Sequence, residues 1–146
     1  MIHELVYTSR ATNYWVSRLA LDELLTQARL KNQRLGITGV LLYENGEFVQ
    51  LLEGEQQAVR DLYYGTIALD PRHRRTFVCW EQAKQERSFA DWQMGFARSS
   101  LVAADNLPVP DGFLSRGLKE LDLSGPRSTG RDLLLSLYES MATHQA

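Results

Sequence analysis

The sequence predicts an α+β fold: a ferredoxin-like βαββαβ(β) sheet with two helices on one face, plus a C-terminal helical extension. Three observations lead to this prediction. The elements follow the order strand, helix, strand, strand, helix, strand. A two-residue hairpin signal, Asn45-Gly46, lies between two apolar runs. The chain also changes character after residue 98, so we predict one domain over 1–98 and an appended segment over 99–146.

Composition narrows the class of protein. The chain has 146 residues, 44% hydrophobic and 23% charged, which suits a globular protein with a real core. A net charge of −2 argues against a nucleic-acid partner. No apolar run approaches the roughly 20 residues that cross a bilayer, so we expect no membrane association. The single cysteine, Cys79, excludes an intrachain disulfide, and we expect a cytoplasmic protein.

The first strand and helix come from alternation and from helical periodicity. Residues 2–8 are typical of a strand, and the polar residues of 9–14 indicate a loop. A helix is predicted over 18–33, with Ser17 as its N-cap. Its apolar face is formed by Leu21, Leu24, Leu25 and Ala28.

The hairpin over 36–53 fixes the direction of one unusual side chain. A turn at Asn45-Gly46 pairs Glu44 with Glu47, Tyr43 with Phe48, and Leu41 with Gln50. Side chains alternate along a strand, so Gln50 lies in the middle of an otherwise apolar face. An unsatisfied buried amide costs about 1–3 kcal/mol. Gln50 therefore marks either a functional site or an amide bonded to a neighbouring loop.

The second half of the domain repeats the pattern. A helix is predicted over 55–69, with Val59, Leu62, Tyr63 and Ile67 on one face, and Asp70-Pro71 ends it. Strands are predicted over 76–83 and 92–98. In the resulting topology the first and third strands are neighbours at the sheet centre, which places Tyr7 beside Gln50.

The tail is predicted to be irregular from 99 to 112, with a short amphipathic piece over 114–121. Ser128 or Thr129 then caps a helix over 130–142, whose apolar face contains Leu133, Leu134, Leu137 and Met141. This helix either docks on the exposed back of the sheet or forms a dimer contact. We favour docking.

Several common chemistries are absent from the sequence. It contains no phosphate-binding loop with Lys-Ser/Thr, no zinc-ligand spacing and no Gly-x-Ser-x-Gly elbow. What remains is a phenol, two carboxamides, an indole and a thioether: Tyr7, Asn32, Gln50, Trp92 and Met94. Such a set suits a flat heteroaromatic ring whose edge presents donors and acceptors, and the phenol can lose an electron together with a proton.

Five motifs occur in order at matching spacing. They are Leu5–Ser9, Asn32 with Leu35–Tyr43, Phe48–Gly54, Asp70–His73 and Arg87–Met94. Over residues 2–98 the sequence therefore resembles the BLUF family of flavin-binding blue-light sensors.

The resemblance implies roles for particular residues. An oxidised flavin would be held non-covalently between the two helices. Tyr7 matches the photoactive tyrosine and Gln50 the glutamine that switches its hydrogen bonds. Trp92 and Met94 match the pair near that glutamine, and Asn32 matches the contact to the pyrimidine edge. Asp70, Arg72 and His73 match positions near the ribityl and phosphate groups, and Ile37, Phe48 and Leu52 would form the apolar wall. Lys31 departs from the family pattern, in which some relatives carry His or Asn, and Arg72 or Lys31 would supply positive charge to a phosphate instead.

We therefore predict a short blue-light photoreceptor and not an enzyme. The expected cofactor is FAD, with FMN or riboflavin as alternatives. Output would pass through the C-terminal segment to a partner protein or through a change of assembly, and we expect a homo-oligomer. Two alternatives remain open at this point: an acylphosphatase-like enzyme, with Ser9-Arg10-Ala11-Thr12 as a faint phosphate loop, or a flavin-free interaction module.

Overall fold

The computed structural model describes residues 1–11, 18–44, 46–71, 73–90, 95–98 and 125–143. Its elements in chain order are β1 (Ile2–Ala11), α1 (Arg18–Leu35), β2 (Thr38–Glu44), β3 (Glu47–Gly54), α2 (Gln56–Leu62), a π-helical segment (Tyr63–Ile67), β4 (His73–Lys84), β5 (Gly95–Arg98) and α3 (Thr129–Thr143). The predicted ferredoxin-like order is confirmed.

The five strands form one sheet in the order β4-β1-β3-β2-β5. All neighbours are antiparallel except β2 and β5, which run parallel. The predicted hairpin register is confirmed, because Glu44 pairs with Glu47 and Leu41 with Gln50. Gly46 in the turn has φ 84°, a backbone conformation that glycine adopts without steric cost.

The first strand is longer than predicted. We expected a loop from Ser9 onward, but β1 continues to Ala11 because Ser9 pairs with Phe48 and Arg10 with Glu47. Strand β4 is longer for the same reason, since Arg10 also pairs with Arg74 and Ala11 with His73. Pairing on both sides of β1 supplies hydrogen bonds that outweigh the turn preference of its polar residues.

The second helix is divided where one continuous helix was predicted. Glu55 caps α2, its carboxylate accepting hydrogen bonds from the backbone N–H groups of Gln57 and Ala58 at 3.1 and 2.8 Å. After Leu62 the chain widens into the π-helical segment. Segments of this type are rare and are often found at functional sites.

One face of the sheet carries the front core, on which α2 packs. The front core consists of Leu5, Tyr7, Ile37, Leu41, Tyr43, Phe48, Leu52, Val59, Leu62 and Tyr63. Every predicted apolar neighbour of Gln50 on its own sheet face is therefore buried with it. The end of α1 adjoins the π-helical segment, because Lys31 of α1 donates to the Thr66 hydroxyl at 2.9 Å.

The opposite face carries the rear core, on which α3 docks as predicted. The rear core consists of Val6, Val40, Leu42, Val49, Leu51, Phe89, Leu134 and Tyr138. Helix α3 buries Leu134 and Tyr138, which are one turn apart, whereas Leu133 and Leu137 are only partly buried. The face of α3 that the sequence predicted to be buried therefore differs from the observed one by a small rotation about the helix axis, and the prediction omitted Tyr138.

Helix α3 is also held at its N-terminus. The hydroxyl of Ser128 caps the helix, accepting from the Arg131 N–H at 3.1 Å, as one of the two predicted caps requires. Glu4 of β1 accepts from the Gly130 N–H at 3.0 Å and from the Ser128 hydroxyl at 2.7 Å. A buried carboxylate at a helix N-terminus satisfies N–H groups that would otherwise lack partners. The predictions for Ser17 and for residues 99–124 lie outside the described residues.

Candidate functional site

The site is built around a hydrogen bond between Tyr7 and Gln50. The two residues are direct partners in the β1–β3 register, so their side chains leave the sheet on the same face. The Tyr7 hydroxyl donates to Oε1 of Gln50. Both side chains are buried, with 3% and 5% of their surfaces exposed. The predicted neighbour relationship between these residues is confirmed.

A row of residues crosses the whole sheet through this pair. Val78 of β4 pairs with Tyr7, Gln50 pairs with Leu41, and Leu41 pairs with Phe96 of β5. Strand β5 therefore contributes Phe96 to this row and lies two strands away from β3, which carries Gln50. Gln50 is therefore connected to β5 through the strand pairing of β2.

Electrostatics keep Tyr7 protonated in its resting state. Burial raises the pKa of the Tyr7 hydroxyl far above its ordinary value of 10.0, and the charges of Tyr63 and Asp70 raise the pKa further. Loss of the proton alone is therefore strongly disfavoured. The Tyr7 proton becomes acidic only when an electron leaves the ring as well, and its hydrogen-bond acceptor is then Gln50.

A second tyrosine contacts the pair, and the sequence did not predict this contact. Tyr63 begins the π-helical segment, and its ring centroid lies 5.0 Å from that of Tyr7 at an interplanar angle of 49°. The helical periodicity placed Tyr63 on the core-facing side. Only the packing of α2 over β1 shows that the core residue it meets is Tyr7.

Two predicted cofactor-binding residues lie near the end of α1: Asn32, predicted to contact the cofactor edge, and Lys31, predicted to supply positive charge to a phosphate. The Asn32 side chain is 1% exposed, and its backbone carbonyl accepts from the Ile37 N–H at 2.9 Å. Lys31 is half-buried, and its ammonium donates to the Thr66 hydroxyl at 2.9 Å. Lys31 thus links α1 to the π-helical segment and stands with its positive charge between the two helices.

The remaining predicted residues are placed in part. Three of them, Ile37, Phe48 and Leu52, belong to the front core. Asp70 follows the π-helical segment, and its N–H donates to the Ile67 carbonyl at 3.1 Å. The backbone of His73 begins β4. Arg72, Trp92 and Met94 lie outside the described residues.

These residues fit a flavin by the chemistry of their donor set. Within one apolar core the fold brings a phenol and a carboxamide together, and it buries a second carboxamide at the adjacent helix end. Carboxamides offer both donors and acceptors, as the polar edge of an isoalloxazine requires. Small-molecule sites commonly combine apolar walls with a few placed polar groups in this way.

The acylphosphatase alternative required a phosphate-binding loop that begins at Ser9, and this part of the alternative was wrong. Ser9 is buried within the strand, and Arg10 is paired with Glu47, its guanidinium 3.3 Å from the carboxylate. Ser9, Arg10 and Ala11 therefore belong to β1 and not to a phosphate-binding loop.

In the part of the chain that the structure describes, no group of three His, Cys, Asp or Glu residues is arranged to hold a metal ion. No helix among these residues is long and apolar enough to cross a membrane.

Comparison with known proteins agrees with this geometry. The BLUF family model, described as sensors of blue light using FAD, matches residues 2–95. Photoactivated adenylate cyclase subunit beta of Euglena longa is 41% identical over 100 residues, which is 68% of this chain. This chain covers 11% of that protein's length.

Solved structures show the same fold. The dark-state structure of BlrB, a BLUF protein, has a TM-score of 0.65 at 33% identity, with 95% of this chain and 96% of that chain covered. The ground state of BlsA has a TM-score of 0.64 at 32% identity, with 73% and 75% covered. A bacterial light-regulated adenylyl cyclase has a TM-score of 0.66 at 26% identity, with 99% of this chain but 35% of that chain covered. The chain therefore belongs to the BLUF family of flavin-binding sensors of blue light.

Proposed function

We propose that Tyr7 and Gln50 form the photochemical switch of this blue-light sensor, and that its native flavin is FAD. The observation that carries the proposal is the buried hydrogen bond from the Tyr7 hydroxyl to Oε1 of Gln50. When bound and excited by blue light, a flavin supplies a strong one-electron oxidant. Tyr7 is the buried phenol beside the amide that fits the flavin edge.

In this mechanism the chain's own residues move one electron and one proton. Tyr7 gives up an electron, and its hydroxyl proton leaves toward Gln50, the acceptor already in place. Gln50 then rotates or tautomerises, so that a donor replaces the acceptor on the Tyr7 side. An amide left unsatisfied in the front core would cost about 1–3 kcal/mol, so the new arrangement must exchange partners instead of losing them. Such an exchange has two stable states.

The flavin contacts in this proposal are those that the family resemblance implies. Asn32 binds the polar edge of the ring, and Ile37, Phe48 and Leu52 form the apolar wall. Lys31, Arg72 and His73 supply donors and positive charge to the phosphate side, and Asp70 lies near the ribityl chain. Trp92 and Met94 complete the site next to Gln50 and pass its change to β5.

The output in this proposal uses the segment after residue 98, with 1–98 as the sensing domain. Helix α3 packs on the rear of the same strands that carry Tyr7 and Gln50, which supports a link between photochemistry and the C-terminal segment. The signal would pass to a partner protein or change the assembly of a homo-oligomer. The lone, partly buried thiol of Cys79 favours a reducing, cytoplasmic location.

A pair of absorption spectra tests the proposal. Purified protein should carry a flavin spectrum, and blue light should shift that spectrum reversibly. Protein that takes up no added FAD, FMN or riboflavin would contradict the proposal. Extraction and chromatography of the bound flavin would identify the native nucleotide.

A further inference from the structure

Three tyrosine rings lead from the buried switch to the protein surface. The centroids of Tyr7 and Tyr63 are 5.0 Å apart, and those of Tyr63 and Tyr64 are 4.8 Å apart at an angle of 86°. Both distances are those of aromatic rings in direct contact. Tyr7 and Tyr63 are each 3% exposed, whereas Tyr64 is 46% exposed. The series therefore begins in the front core and ends in solvent.

The π-helical segment arranges this path. Tyr63 and Tyr64 are consecutive residues at its start, one directed into the front core and the other outward. The Arg60 guanidinium lies 5.3 Å from the Tyr64 ring centroid. A positive charge over the ring disfavours a cationic ring, so Tyr64 loses an electron only together with its proton.

The three phenols differ in where their protons can go. Tyr7 passes its proton to Gln50, a buried amide from which the proton can return. The hydroxyl of Tyr63 is hydrogen-bonded to Thr76, and burial raises the pKa of Tyr63. Tyr64 faces solvent, where water accepts its proton and carries it away. Of the three tyrosines, Tyr64 is therefore the one at which the oxidised state, a tyrosyl radical, persists longest.

We propose that Tyr63 and Tyr64 form an electron-transfer path that refills Tyr7 after its oxidation. This inference rests on the proposed function, in which Tyr7 loses one electron to photoexcited oxidised flavin. Tyr63 returns one electron to Tyr7, which takes its proton back from Gln50, and Tyr63 keeps its own proton as a transient radical cation. Tyr64 then returns one electron to Tyr63, which restores the neutral Tyr63 phenol, and Tyr64 releases its phenolic proton to water. In sum, one electron has moved from Tyr64 to the flavin, one proton has entered solvent, and Tyr64 is left as a neutral radical.

The path competes with the light switch. When an electron arrives from Tyr63 before Gln50 has rearranged, Tyr7 is restored without a change in its hydrogen bonds. The surface radical on Tyr64 records each such event. Two of these radicals from separate molecules join through a carbon–carbon bond to give dityrosine, so the path has a covalent product that can be located.

The test is made on flavin-loaded protein from which free flavin and oxygen have been removed. Chloropentaamminecobalt(III) is added as an irreversible acceptor that takes the transferred electron, so that the oxidised state of the protein persists. After blue illumination, dityrosine is quantified by its fluorescence, and the cross-linked peptides are identified by mass spectrometry. We expect cross-links through Tyr64 in the wild-type protein.

Variants separate the path from direct oxidation at the surface. Tyr63→Phe should lower the Tyr64 product about tenfold or more, because a phenylalanine ring cannot take up the oxidised state. Tyr7→Phe, which leaves the outer pair intact, should lower this product as well. Tyr138→Phe in the rear core is the matched control and should leave the product unchanged. An undiminished Tyr64 product in either Tyr63→Phe or Tyr7→Phe would overturn the path.

The same samples report on the proposed function before the cobalt reagent is added. A normal light-induced spectral shift in wild-type protein whose Tyr64 stays unmodified overturns the path and leaves the switch intact. If the protein binds no flavin and shows no spectral shift, both the electron-transfer path and the proposed light switch are overturned. Should Tyr63→Phe fail to retain flavin, Tyr63→Trp supplies an oxidisable ring in its place and should preserve the Tyr64 product, whereas loss of the product there would contradict the path.

Discussion

Glu4 and Glu53 face each other across β1 and β3 and share the ammonium group of Lys84. The ammonium lies 2.6 Å from the Glu4 carboxylate and 2.9 Å from that of Glu53. Along the same two strands, three residues away, Tyr7 faces Gln50. The odd spacing puts the two pairs on opposite faces of the sheet. One pair of strands therefore carries the proposed switch on its front and the attachment of α3 on its rear.

This attachment extends to the loop after β4. The Glu53 carboxylate also accepts from the backbone N–H groups of Ser88 and Phe89, at 2.9 and 2.7 Å. Glu4 accepts from the Trp80 indole at 3.0 Å in addition to the start of α3. Buried carboxylates are stable only when they are paired and hydrogen-bonded to this degree.

Replacing Gln50 with Leu should leave flavin bound but abolish the light-induced spectral shift, because leucine has no amide to exchange. The change also removes the acceptor of the buried Tyr7 hydroxyl and should cost about 1–3 kcal/mol of unfolding free energy. Difference spectra and urea denaturation measure the two effects. Gln57→Leu makes the same chemical change at an exposed site and should shift normally. A normal shift in Gln50→Leu rules out the mechanism.

Replacing Tyr7 with Phe should block the normal light response and lengthen the fluorescence lifetime of bound flavin, because the proposed electron donor is lost. Time-resolved fluorescence measures this change. Tyr43→Phe removes a hydroxyl elsewhere in the front core and should retain the short lifetime and the shift. If both variants behave alike, Tyr7 has no special role in the photochemistry.

Replacing Lys84 with Met should lower the unfolding free energy by about 3–5 kcal/mol, because two buried carboxylates lose their shared cation. Urea denaturation monitored by circular dichroism measures the loss. Arg127→Met is the matched control: its ion pair with Asp132 is exposed, with 77% and 48% of the two side chains accessible. This control should cost less than about 1 kcal/mol. Equal losses in the two variants would mean that Lys84 contributes no more than a surface charge.

Stability should fall with acidification in a way that depends on Glu4. Burial alone would raise the pKa of Glu4, but hydrogen bonds from Lys84 and Ser128, with the charge of Lys84, lower the pKa below its ordinary 4.5. The folded state then binds the Glu4 proton less readily than the unfolded state does. The resulting stabilisation is complete above pH 4.5 and is lost as the pH falls through the lower folded-state pKa. The acid slope of the unfolding free energy should be shallower in Glu4→Gln, and an unchanged slope would contradict this assignment.

Replacing Gly130 with Ala should loosen α3 from the sheet, because a methyl group there would overlap the Glu4 carboxylate. Overpacking of this kind typically costs about 1–3 kcal/mol. Amide hydrogen exchange of α3 and urea denaturation measure the effect. Gly65→Ala is the matched control, since nothing lies within 4 Å of the added methyl group. It should be neutral or stabilise the protein by about 0.5–1 kcal/mol. If the amide hydrogens of α3 exchange as slowly in Gly130→Ala as in the wild-type protein, the prediction is wrong.

Local rules were enough to place Gln50. The Asn45-Gly46 signal and the alternation of the strands determined that Gln50 shares a face with Leu41, and the element order made β1 and β3 neighbours. These features depend on turn chemistry and on a two-residue period, both of which are written in short stretches of sequence.

Contacts between distant segments were decided only by the tertiary structure. The extension of β1 to Ala11 required partners on both sides, and the contact of Tyr63 with Tyr7 required α2 to settle over β1. Glu4, Glu53 and Lys84 each look like ordinary surface charges in the sequence. Glu4 and Glu53 are buried, and Glu4 bonds to Ser128, which lies 124 positions further along the chain and caps α3. No local pattern encodes a contact between residues so far apart in sequence.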